Sequence, residues 1–115
     1  MIINISYLEE ITGGDKEMIL EMLDLFISDI PKHIEKIDEF LSSNQIIEVG
    51  REAHKLKPTL QYVGLIKMFE DIKQIEEIAK NGSGKEQLEE LVSSLKLQKD
   101  VSVEALEEKR KELQG

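Results

Sequence analysis

The sequence predicts an all-α fold, an antiparallel up-and-down four-helix bundle with a short N-terminal helix. Apolar residues recur at three- and four-residue steps, and clusters of Gly, Ser and Asn punctuate the chain at about one helix length. No stretch alternates polar and apolar residues as a half-buried strand does. With 115 residues the chain has the length of a single domain, 1–115.

The first predicted element, about Ser6 to Ile11, is a short helix with Ser6 as N-cap and Glu9 three residues on, the spacing of a capping box. The second opens on Asp15 as N-cap and carries Ile19, Met22, Leu23, Phe26, Ile27, Ile30, Ile34, Ile37 and Leu41 along one face. Pro31 removes a backbone donor in its middle and is expected to kink or divide it. The third runs from about Gln45 to Val63, the fourth from about Leu65 to Lys80, and the fifth from Lys85 towards the C-terminus. Short connections favour antiparallel neighbours. Apolar positions thin out after Leu97, so residues 98–115 are expected to overhang the bundle or fray.

Composition narrows the function. The chain has no cysteine, hence no disulfide framework, thiolate nucleophile or cysteine zinc site, and a reducing cytoplasm is the expected setting. A net charge of −9 argues against nucleic acid as a partner, because phosphate binding needs a basic surface. Residues Met1-Ile2-Ile3-Asn4-Ile5 lack the basic start of a signal peptide, and no apolar run approaches a membrane span. The histidines have Ile30 and Arg51 three residues before them and Lys36 and Lys57 three after, so the Glu-x-x-His pairs of dimetal bundles are missing. Gly82-Ser83-Gly84-Lys85 reads as a turn rather than a phosphate loop, since Ala79 stands where the first glycine belongs and Glu86 replaces Ser or Thr.

The informative stretch is Arg51-Glu52-Ala53-His54-Lys55-Leu56-Lys57-Pro58-Thr59-Leu60-Gln61-Tyr62-Val63-Gly64. On a helix at about 100° per residue, Val49, Ala53, Leu56, Leu60 and Val63 fall on one face, roughly opposite His54. His54 therefore faces solvent beside Ile47, Gly50, Pro58 and Gln61, all within about 40°, and Arg51 and Lys57 flank it at about 60°. Gly50, one turn earlier, is expected to leave the ring open. Residues 45–67 hold four cations against two anions, leaving −11 on the rest of the chain. A positive spot on an acidic body invites an anion, and a neutral imidazole is a competent nucleophile. His33, at the edge of its helix's apolar stripe beside Lys32, reads as structural.

These residues resemble the signature of the histidine-containing phosphotransfer (HPt) family, His-x-Leu-Lys-Gly-Ser-x-x-x-x-Gly, here met by His54, Leu56, Lys57, Thr59 in place of Ser, and Gly64. Ile75-Glu76-Glu77-Ile78-Ala79-Lys80-Asn81-Gly82 is similar to the family's next helix and its end. The resemblance implies a phosphorelay carrier without kinase activity of its own. His54 would accept a phosphoryl group, through an outward Nε2, from the aspartyl phosphate of a receiver domain and pass it to another. Lys57 would contact the phosphoryl group, with Arg51 and Lys55 as further cations. Ile47, Gly50, Pro58 and Gln61 would form part of the docking surface. The implied partners are receiver domains of response regulators or of a hybrid histidine kinase. The chain itself would need no cofactor, with magnesium on the receiver, and is expected to be a monomer.

Pro58 departs from the pattern by replacing the family's glycine. It takes away the donor to the His54 carbonyl, so a local kink beneath His54 is expected. The competing reading is a helical adaptor that kept the bundle and binds a signalling partner without phosphotransfer; retention of both His54 and Lys57 favours the carrier.

Overall fold

The computed structural model describes all 115 residues. It contains five helices and no strand: α1 (Ser6–Thr12), α2 (Lys16–Ser42), α3 (Ile46–Tyr62), α4 (Ile66–Ala79) and α5 (Lys85–Gln114). Helices α2 to α5 pack each against the next, and α5 returns against α2 to close the bundle, while α1 touches α2. The molecule measures 45 × 23 × 18 Å. At 1.5 Å per residue, α5 alone spans about 45 Å, so it runs the whole length.

The stripe read from the sequence is the core. Ile19, Leu23, Phe26, Ile30, Ile34, Ile37 and Leu41 of α2 are buried, facing Val49, Ala53, Leu56 and Leu60 of α3 and Met68, Ile72 and Ile75 of α4. Asp15 caps α2, its carboxylate accepting a hydrogen bond from the Met18 N–H at 3.1 Å. Neither Pro31 nor Pro58 divides its helix. Of the kink or division expected at Pro31, the division is absent; Ile27, Ile30 and Ile34 pack on the core to either side of it, and their burial offsets the missing backbone bond.

Two further expectations give way. Ser6 begins α1 but does not cap it: Ile5 occupies the N-cap position with its side chain in the core, and the Asn4 carboxamide oxygen accepts from the Ser6 N–H at 2.9 Å. The last turns of α5 neither overhang nor fray. Leu106 is fully buried, Leu113 packs at the core's edge, and Arg110 donates from Nε to Asp24 of α2 at 2.5 Å. The partner of α5 along these turns is the long α2 rather than the shorter α3 or α4, and α2 is long enough to receive them.

The ends of α3 and α4 are fixed by their turn. Gly64 has φ +70°, and a Cβ there would lie 2.8 Å from that of Asn4, so only glycine lets the N-terminal segment cross this turn. The Asn4 N–H donates to the Val63 carbonyl at 2.9 Å, and Tyr7 stacks on Tyr62 with ring centroids 5.3 Å apart. On the other side of α4, the buried Asp71 carboxylate accepts from Ser94 Oγ and Gln98 Nε2 of α5, at 3.0 and 2.9 Å, and from Lys67 Nζ at 2.9 Å. The α3–α4 hairpin that carries the site is thus tied down at one end and along one flank.

Candidate functional site

Because Val49, Ala53, Leu56 and Leu60 turn one face of α3 fully into the core, His54 must emerge on the other, and its side chain is 70% exposed. It is not free. Nδ1 lies 2.5 Å from Oε2 of Glu76 on α4, and the same carboxylate's Oε1 accepts from Lys57 Nζ at 2.5 Å. One glutamate therefore bridges the histidine and the lysine placed three residues after it. Partial burial pushes the Glu76 carboxyl up, but the hydrogen bonds from Lys57 and His54, together with their charges, outweigh it and hold the group below the ordinary carboxylate range. An ionised Glu76 can only accept, so the proton of a neutral His54 sits on Nδ1 and the lone pair is on Nε2. Nε2 has no protein partner.

An open cleft of about 660 Å³ surrounds the ring, lined by Ile47, Gly50, Arg51, His54 and Lys55 of α3 and by Glu76, Glu77 and Lys80 at the end of α4. Five of the residues singled out from the sequence thus line one cleft. Lys57 meets the group through Glu76, and Pro58 and Gln61 are exposed further along α3, outside the cleft. Arg51 pairs with Glu48 at 2.6 Å, and Lys55 lies 3.8 Å from Glu52. Ile47 is 44% exposed at the cleft's lip. A larger groove, about 810 Å³, lies at the other end of α4 among residues such as Ile2, Ile66, Leu97 and Val101, and holds neither histidine nor carboxylate.

Gly50 requires a correction. It is buried rather than exposed, because α4 backs onto it: a Cβ at Gly50 would stand 3.2 Å from that of Ala79. Its missing side chain serves close helix approach, which brings Glu76 within reach of His54. Glu76 itself escaped the sequence reading. Its signal was its place beside Ile72, Ile75 and Ala79 at the edge of the α4 core stripe, but connecting it to His54 needs the register between two helices.

No three His, Cys, Asp or Glu side chains converge as a metal ion would require. No helix is long and apolar enough to cross a membrane.

The helical bundle presents an outward imidazole nitrogen, with its other nitrogen held by a carboxylate and a lysine beside it, and a neutral imidazole so arranged has the lone pair that a nucleophile needs. The family model described as Hpt domain matches residues 21–114, nearly the whole chain, and the protein belongs to that family. Its general role is histidine phosphotransfer in two-component phosphorelays, as a phosphocarrier that interacts with receiver domains. Comparison with curated proteins and with solved structures gave no match.

Proposed function

We propose that His54 carries the phosphoryl group, taking it from the aspartyl phosphate of one receiver domain and delivering it to another. The observation that supports this most directly is the pairing of His54 Nδ1 with Glu76, which leaves Nε2 outward with its lone pair. In the forward step Nε2 forms a bond to phosphorus, the bond from phosphorus to the aspartyl oxygen breaks, and the carboxylate leaves with the electron pair. The imidazole, protonated at Nδ1 throughout, becomes a phosphoimidazolium, and its new positive charge faces Glu76. Transfer onwards is the reverse step on a second receiver.

Lys57 has two parts in this reading. It keeps Glu76 ionised and placed, and its ammonium, three residues from His54 on the same helix, is a cation near the incoming phosphoryl charge. Arg51, Lys55 and Lys80 add positive charge around the cleft, and Ile47 with the exposed α3 face through Pro58 and Gln61 supplies docking contact. The magnesium of the reaction belongs to the receiver in this scheme.

The test is transfer of labelled phosphate from a phosphorylated receiver, with magnesium, to the wild type and to His54→Gln, followed under non-acidic conditions. Label on the wild type alone supports the carrier. Receiver binding without label on either protein would turn the assignment towards a non-catalytic adaptor.

A further inference from the structure

We propose that His33 is a second phosphoryl-accepting histidine, one that takes phosphate from small donors rather than from a docked receiver domain. The chain holds two histidines, and both are built the same way. His33 of α2 points Nδ1 at Oε2 of Glu52 on α3, as His54 of α3 points Nδ1 at Oε2 of Glu76 on α4. In each case a lysine approaches the carboxylate's other oxygen: Lys55 lies 3.8 Å from Glu52 Oε1, and Lys57 lies 2.5 Å from Glu76 Oε1. Each histidine also has a lysine three residues on, Lys36 and Lys57, on the same side of its helix. Helix α3 is therefore flanked by two His–Glu–Lys groups, one shared with α2 and one with α4.

The differences set the donor. Glu52 is 3% exposed against an exposed His54 site, so its carboxylate is held rigidly and its charge is little screened by water. A buried carboxylate must be partnered, which fixes the Nδ1 side of His33 firmly. That leaves Nε2 without a protein partner. The His33 side chain keeps 24% of its surface open, against 70% for His54. A ring recessed between two helices admits a small phosphorylated molecule more readily than the phosphoaspartate of a folded domain. The charged residues nearest in sequence on α2 are Asp29, Lys32, Glu35 and Lys36, which with Glu52 and Lys55 of α3 set three cations against three carboxylates around the ring.

With phosphoramidate as donor the step balances. The Nε2 lone pair of a neutral His33 forms a bond to phosphorus, the phosphorus–nitrogen bond of the donor's ammonium form breaks, and ammonia leaves with that electron pair. The product imidazolium keeps its proton on Nδ1, facing Glu52.

The experiment treats the wild type, His54→Gln and His33→Gln/His54→Gln with phosphoramidate, beside a free histidine peptide as reactivity control. The readout is phosphoryl groups per chain, their acid lability and the modified residue found by fragmentation. His54→Gln retains a single histidine, and because residue 54 is exposed the fold is expected to survive. The expected result is one acid-labile phosphoryl group on His33 in His54→Gln and none in the double variant. An unmodified His54→Gln beside a phosphorylated peptide control overturns the proposal, as does label found on a lysine instead. In the His54→Gln background, Glu52→Gln should show loss of rapid labelling at His33; an unchanged rate would remove Glu52 from the scheme.

Discussion

Gly50 of α3 and Ala79 of α4 stand face to face, so close that a methyl group on Gly50 would meet the Ala79 Cβ at 3.2 Å. This contact sets the spacing of the two helices at the level of the site. A larger side chain there must push α3 from α4 and with it His54 from Glu76. Gly50→Val is expected to cost about 1–3 kcal/mol of stability, the usual range for overpacking, and to slow phosphate acceptance. Denaturant midpoints and transfer rates on one preparation check it, and a normal rate with lowered stability would show that the helix spacing does not govern the site.

Glu76 is expected to orient His54 and to face the charge that forms on its ring. Glu76→Gln keeps the shape but loses the charge, and acceptance should fall by roughly tenfold or more, the scale on which a carboxylate behind an imidazole acts. Lys57→Ala should slow transfer without abolishing it. Single-turnover rates with one phosphorylated receiver measure both, and a Glu76→Gln rate equal to wild type would leave the pairing with no part in the chemistry.

Acid should remove what Glu76 adds to stability. Its folded carboxyl is held below the ordinary range because the bonds and charges of Lys57 and His54 outweigh its partial burial, which pushes the other way. A depressed folded value stabilises the protein above the unfolded carboxylate value of about 4.3, and the gain is lost as pH falls through the folded value. Wild type should therefore exceed Glu76→Gln in stability near neutrality, with the two converging in acid. Thermal melts across pH follow the gap, and a constant gap would contradict this assignment.

Leu106 tests whether the end of α5 belongs to the core. It is fully buried, and Leu106→Ala should cost about 2–5 kcal/mol. A near-zero loss in denaturant unfolding would show those turns to be free of the bundle.

The fold was readable because its core is periodic within each helix. The α2 stripe from Ile19 to Leu41 and the α3 set of Val49, Ala53, Leu56 and Leu60 are properties of single helices, and they also fixed the side on which His54 emerges. Glu76 and Gly50 were out of reach for a common reason. Whether a residue at position 76 meets one at 54, or whether a glycine is exposed or pressed against a neighbour, depends on how two helices slide past each other. Within α3 alone, Gly50 lies on the exposed side. The same applies to Leu106 and Leu113, which looked sparse on α5 until α2 ran alongside them. Ser6 failed as a cap because the burial of Ile5 decides where the chain enters the helix, and a local hydroxyl pattern carries no record of that.

The pairing of Arg110 with Asp24 joins residues 86 apart in sequence, whereas His54 and Glu76 are separated by 22. Loop-closure entropy makes the longer closure costlier by roughly 1 kcal/mol before any contact is made. The histidine's surroundings are thus assembled from encounters between the consecutive helices α3 and α4, at the smaller closure cost. Because Arg110 and Asp24 join α5 to α2 while His54 and Glu76 join α3 to α4, a substitution that loosens the far turns is expected to leave the histidine's pairing in place.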